Sequence, residues 1–189
     1  MKLVLASRSP QRRAILAQLG VPFVERPADV VEEGVGEPHA VVLANARRKA
    51  LAAGANEDEV VLGVDTIVAI DGEIFGKPPD AEAAAAMLRR LSGRTHTVAS
   101  GVALAYADGR VEPAATTTAV TFRALTDWLV NWYVATGEWE GRAGGYAIQG
   151  RGAALVTRIE GDYLNVVGLP VAMLVEHWPW LLDLRHYPY

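Results

Sequence analysis

No cysteine occurs in the 189-residue chain, which removes disulfides and thiolate metal ligation from consideration and fits a reducing cytoplasm. Long apolar runs are missing as well. The N-terminus offers Lys2 and then only Leu3-Val4-Leu5-Ala6 before Ser7-Arg8-Ser9, less than the apolar core of a signal peptide. No segment reaches the roughly 20 apolar residues of a membrane-spanning helix. A cytoplasmic protein with no membrane partner is the expectation. An excess of positive charge is also lacking: the formal net charge is −4, which argues against a nucleic-acid partner held by general electrostatics. The few histidines, His39, His96, His177 and His186, show no metal-ligand spacing.

What remains is ordinary for a globular protein, with 51% hydrophobic and 21% charged residues in a chain sized for one well-buried core. A single domain over residues 1–189 is expected, with no repeat and no obvious linker. The basic residues are lopsided, 15 Arg against 3 Lys. They are also bunched, at Arg8, Arg12 and Arg13 and at Arg47, Arg48 and Lys49. In an acidic chain such bunching suits a small acidic ligand. Lys49 and Lys77 stand out because a compact ammonium differs chemically from a guanidinium fork.

The pattern predicts an α/β fold: a mixed twisted sheet with long antiparallel hairpins, helices packed around it, and two lobes flanking a cleft. Residues 2–6 read as a short buried strand. Ser9 is placed to cap a helix that Pro10 opens and Gly20 and Pro22 stop. Residues 26–38 read as acidic and irregular, and a second helix spans 39–53. The β-branched run from Val60 to Ile70 reads as a strand ending at an Asp71-Gly72 turn. A helix at 80–92 precedes a hairpin of strands 95–106 and 111–123, and Thr126 caps a helix through 136. A Gly-rich connection from Gly141 to Gly152 leads to a strand at 153–160, and Pro170 opens the terminal helix.

Four places are candidates for chemistry, each weighed against a plainer reading. The strand-to-helix passage at Ser7-Arg8-Ser9-Pro10 offers unpaired backbone N–H groups for an anion, with Arg12 in the first turn; a plain Ser-Pro cap with solvated arginines explains it as well. Asp65 interrupts an apolar strand, where an unpaired carboxylate is costly. It is either a general base or metal ligand facing a cleft, or half of a structural ion pair. Gly72 to Pro78 looks like a phosphate loop but has three residues between its glycines and Pro after Lys77, so it is not one. Gly144-Gly145-Tyr146-Ala147-Ile148-Gln149-Gly150 lets backbone approach a ligand, and Gln149 can read a base edge; a flexible loop is the plainer alternative. The aromatic stretch Trp178 to Trp180 suits packing inside the monomer or a homodimer interface.

Set end to end, these segments resemble the Maf family of nucleoside triphosphate pyrophosphatases. The matching stretches are Leu5 to Arg13, Val30 to Glu33, Arg48-Lys49-Ala50, Gly63 to Thr66, Gly76-Lys77-Pro78, Leu91-Ser92-Gly93, Ala143 to Gly150 and Asn165 to Pro170. The resemblance implies cleavage of a nucleoside triphosphate between its α- and β-phosphates with a divalent cation, magnesium or manganese. By it, Asp65 accepts the proton of the attacking water and, with Glu33 and Glu32, holds the metal. Ser7, Arg12, Arg13, Lys49 and Lys77 bind the substrate. Thr66 and Gln149 resemble the members that hydrolyse dTTP and UTP, whereas Gln11 replaces the Arg usual in them and Gly141-Arg142 replaces a common Asp-Lys. The alternatives are a pyrophosphatase for modified nucleotides, of the 7-methyl-GTP or inosine type, and a non-enzymatic regulator of septum formation.

Overall fold

The computed structural model describes residues 1–182; His186 lies outside them. One sheet carries the molecule. Its strands are β1 (Lys2–Leu5), β2 (Phe23–Glu25), β3 (Glu59–Ile70), β4 (Glu73–Phe75), β5 (Thr95–Tyr106), β6 (Val111–Phe122) and β7 (Val156–Glu160). Their order is β2-β1-β3-β5-β6-β7, with β4 beside β3. β1 runs parallel to β2 and β3, and the remaining pairs are antiparallel. The fold is the expected α/β class with a mixed sheet.

The long strand β3 organises the site. One edge pairs continuously with β5, from Val60 opposite Tyr106 to Ala69 opposite Thr97. On the other edge β1 reaches only Leu62, and β4 begins only at Val68. Residues 63–67 therefore face an opening in the sheet, and Asp65 lies at its middle.

Because successive side chains of a strand point to opposite faces, the two faces differ in composition. Under α2 (Pro38–Ala53) the sheet presents Gly63 and Gly101 with Val61, Ala99, Ala103 and Ala105. A Cβ at Gly63 would stand 2.2 Å from the Ala46 carbonyl oxygen, and one at Gly101 2.4 Å from that of Val42. Only glycine lets the helix lie this close.

The opposite face carries two large apolar clusters. Leu3, Leu5, Val64, Val102 and Leu104 pack with Ile15 and Leu16 of α1 (Pro10–Gln18) and with Met173 and Leu174 of α6 (Val171–His177). Val68, Val98, Val120 and Phe122 pack with Leu88 and Leu91 of α3 (Ala81–Leu91) and with Val130 and Tyr133 of α4 (Asp127–Val134). Each fully buried Leu or Phe here contributes about 1.5–3 kcal/mol. Between the clusters runs a polar seam. Thr66 meets Ser100 at 2.8 Å, and Asn165 of α5 (Tyr163–Val167) donates to the Val98 carbonyl at 3.1 Å and to Thr118 at 3.0 Å. Trp178 belongs to the first cluster, and its indole N–H donates to Glu112 at 2.7 Å. That side chain is engaged within the monomer.

Several local expectations need correction. β2 and α5 were not expected from the pattern; at three and five residues they are too short to show a period. The strand expected at 153–160 begins at Val156, because Arg151–Leu155 form a 3-10 helix. There Gly152 packs against the Ala147 carbonyl, which a Cβ would approach to 2.4 Å. The connection before it is not plain loop, since Ala143–Gly145 also makes a 3-10 turn. The helix capped by Thr126 ends at Val134 rather than 136.

Candidate active site

The opening in the sheet continues into a cleft of about 480 Å³. Ser7, Gln11, Arg12, Glu32, Lys49, Asp65, Thr66, Lys77 and Gln149 all line it, drawn from every stretch that suggested chemistry. Arg13 and Glu33 are not among its lining residues. Arg13 turns to Glu25 at 3.4 Å, and Glu33 pairs with Arg48 at 2.6 Å.

Asp65 points to the α2 face and is 4% exposed. Its Oδ1 accepts from Lys49 Nζ at 2.7 Å and its Oδ2 from Asn45 Nδ2 at 2.9 Å. The same ammonium pairs with Glu32 Oε1 at 2.8 Å and lies 3.4 Å from the Val64 carbonyl. The two sequence readings of Asp65 are thus compatible in space. An ion pair offsets the cost of burying the carboxylate, and the pair itself lies in the cleft.

Thr66, next in sequence, points to the opposite face. There Arg12, 9% exposed, acts as a clamp. Its Nε donates to the Gly168 carbonyl at 2.8 Å, and its Nη1 to Ser7 Oγ and the Val64 carbonyl, both at 3.0 Å. Nη2 donates to Thr66 Oγ1 at 3.2 Å. Of the five N–H donors of a guanidinium, these bonds leave one, on Nη2. Burial lowers the Arg12 pKa, against the opposing charges of Asp65 and Glu32. The Val64 carbonyl, which has no strand partner in the opening, is thus satisfied by side chains.

Around this centre the lining changes character. Lys77 is exposed at the rim just beyond β4. Arg142 also lines the cleft, and its buried Nε has no hydrogen-bond partner. Ser9 Oγ lies 3.1 Å from Gln11 Oε1, which leaves the Gln11 amide N–H groups for another acceptor. Val68, Val98, Tyr146, Val166 and Val167 give a largely apolar wall. Behind it His96 meets the Tyr146 hydroxyl at 2.9 Å. Burial lowers the His96 pKa to about 4 and raises that of Tyr146, so both are neutral at pH 7.

Sequence reasoning missed Asn45 and Ser100, and it met Arg142 only as a departure from the family pattern and not as a donor to the cleft. Asn45 carried a signal, because it falls with Val42, Ala46 and Lys49 on the inward stripe of α2. A polar residue on such a stripe needs a partner. Ser100 was visible only through its pairing opposite Thr66, which no local pattern shows.

The profile of the family described as Maf-like protein matches residues 2–178. The dTTP/UTP pyrophosphatase of Moorella thermoacetica is 52% identical over 180 residues, spanning 93% of this chain and 92% of that protein. The dTTP/UTP pyrophosphatase of Pyrococcus furiosus is 43% identical over 189 residues, spanning 98% and 96%. That of Pelotomaculum thermopropionicum is 48% identical over 179 residues, spanning 93% and 94%.

Proposed function

This chain belongs to the Maf-like protein family, and we propose that it hydrolyses dTTP and UTP to the nucleoside monophosphate and pyrophosphate. It is a nucleoside triphosphate diphosphatase, as its relatives' names indicate. The observation that carries the reading is the buried Asp65 carboxylate, oriented by Lys49 and Asn45 within a cleft that also holds unpaired cationic donors.

In this mechanism Asp65 takes a proton from a water molecule as the water oxygen bonds to the α-phosphorus. The bond from the α-phosphorus to the α,β-bridging oxygen breaks, and that oxygen leaves with its electron pair on pyrophosphate. Such a displacement needs positioning and charge neutralisation more than covalent help. Lys77, Arg142 and the remaining Arg12 N–H are the cationic donors for the triphosphate. The apolar wall with Tyr146 receives the base, and the amides of Gln149 and Gln11 read its edge. Thr66 acts on specificity through Arg12, to which its hydroxyl is bonded.

The residues suit a divalent cation. Glu32 and Asp65 would hold it: their carboxylates both reach Lys49 Nζ, at 2.8 and 2.7 Å, and so stand together in the cleft, where a divalent cation would lie beside the ammonium that already fills the point between them. Magnesium or manganese commonly takes one or two carboxylates and completes its shell with phosphate oxygens and water. Glu33 stands outside this pair, on Arg48. Among the described residues no group of three or more His, Asp or Glu side chains forms a protein-only cage. Held beside these carboxylates, such an ion would supply charge neutralisation for the triphosphate oxygens.

The test is pyrophosphate release from a nucleotide panel with magnesium or manganese. The expected result is the highest kcat/KM for dTTP and UTP, with activity abolished by a chelator. A preference for 7-methyl-GTP or inosine triphosphate overturns the base assignment and leaves the reaction standing. Nucleotide binding without release of pyrophosphate from any member of the panel overturns the reaction.

A further inference from the structure

We propose that Asn45 is a positioning residue for this hydrolysis: its side-chain amide ties the Asp65 carboxylate and the Glu32-Glu33 segment into one rigid frame. The inference rests on the reaction assigned above. Asn45 is 1% exposed and all its hydrogen-bonding capacity is used. Nδ2 donates to Asp65 Oδ2 at 2.9 Å and to the Glu33 carbonyl at 2.9 Å. Oδ1 accepts from the Glu33 N–H at 2.8 Å and from Arg48 Nη1 at 3.1 Å. This network assigns the amide's orientation.

The pairing with Glu33 is reciprocal, N–H to oxygen and carbonyl to N–H, as between neighbouring residues of an antiparallel ladder. A residue with no strand partner is thereby anchored as though it had one. Residues 26–37 contain no helix or strand, and Val31 and Val35 within them are highly exposed. Packing does not fix this segment, so hydrogen bonds must. Glu32 precedes the anchored residue directly, which places its carboxylate on Lys49. With Lys49 on one oxygen of Asp65 and Asn45 on the other, the plane of that carboxylate is fixed too.

Packing alone would choose differently at this position. The neighbouring inward residues Val41, Val42, Ala46 and Ala50 are apolar, and an apolar side chain would need no hydrogen bonds there. A fully satisfied amide fits geometric control of the two carboxylates better than it fits core formation.

Two variants separate the roles of the amide. Asn45→Leu keeps similar volume and removes all four bonds. Asn45→Asp keeps an acceptor toward the Glu33 N–H and Arg48 and loses both donations, to Asp65 and to the Glu33 carbonyl. The measurements are kcat and KM for pyrophosphate release from dTTP, the melting temperature, and amide exchange at Glu33. Misplacing a reacting group by about 1 Å can cost on the order of 100-fold. Both variants are therefore expected to lose roughly 10- to 100-fold in kcat, with KM changed less than about threefold, the sign of an interaction made in the transition state. Asn45→Leu is expected to exchange the Glu33 amide faster, and Asn45→Asp to keep it protected, both at temperatures where the variants are fully folded. If either folded variant keeps kcat within about twofold of the unmodified protein, or if the loss appears only in melting temperature, the positioning role is refuted while the reaction stands. If the unmodified protein releases no pyrophosphate, the reaction assignment fails first and this inference falls with it.

Discussion

At the opening in the sheet, adjacent residues of β3 lead to two chemically different surroundings. On the α2 side, Asp65 sits among Lys49, Glu32 and the amide of Asn45. On the other side, Thr66 meets the hydroxyl of Ser100 and a single guanidinium that is itself bonded to hydroxyl and carbonyl oxygens. One side can accept a proton and concentrate charge. The other holds backbone and side chains in register and leaves little free capacity. The comparison teaches that a polar residue at a cleft is informative through what its partners leave unused, and it predicts that activity depends mainly on the first side and architecture on the second.

The sharpest way to break that division is Asp65→Asn. Turnover is expected to fall by about 100-fold or more, because the amide cannot accept the water's proton, while the protein stays folded with a lowered melting temperature, since Lys49 then keeps only Glu32 as its counter-charge. Steady-state kinetics with thermal denaturation decide it; a folded variant with undiminished turnover ends the general-base assignment. Lys49→Met is expected to damage both properties. It leaves buried Asp65 with one hydrogen bond and only the Arg12 guanidinium, which does not touch it, as counter-charge, a change worth about 3–5 kcal/mol in comparable pairs. Urea titration then shows a lower midpoint as well as weaker hydrolysis.

The second side has its own titrating group. His96 points to the same face as Ser100, and burial lowers its pKa from 6.5 to about 4. As pH falls, the unfolded chain takes up the proton first. The stability of the neutral form is therefore complete above about pH 6.5 and is lost progressively towards pH 4, by up to roughly 3 kcal/mol. Urea midpoints at several pH values measure this, and His96→Phe should flatten the dependence between pH 6.5 and 4. Thr66→Val is expected to remove about 1–3 kcal/mol by leaving Ser100 and Arg12 short of a partner, with a smaller effect on turnover than Asp65→Asn. The smallest structural effect belongs to Lys77→Met. This rim residue is exposed, so the variant should bind dTTP more weakly with an unchanged melting temperature; unaltered kinetics would mark Lys77 as ordinary surface charge.

Much of this arrangement was legible beforehand. The β-branched run of β3, the Asp71-Gly72 turn and the Ser-Pro start of α1 each state a local preference that the fold obeys. Asp65 was legible because a carboxylate in an apolar strand is a local contradiction. Arg13 is instructive in the other direction. Residues one apart on a helix point about 100° away from each other, so Arg12 and Arg13 were poor candidates for one anion. Gly63 and Gly101 each interrupt a strand, a recognised sign of close backbone approach, but only the tertiary structure shows that α2 is the element approaching. The fourfold use of Asn45 depends on a segment that has no periodicity at all.

The continuity of β3 has a mechanical consequence. It passes from one apolar cluster to the other without a break, and β5 accompanies it from Val60 to Ala69. Any movement of one cluster against the other is therefore borne by twisting or bending of this strand pair, which can deform without losing its ladder, and not by a flexible linker. The stretch from Gly63 to Ile67 is the place where such deformation meets least resistance, because only one of its edges is paired. The floor of the cleft and the girder of the fold are the same piece of chain.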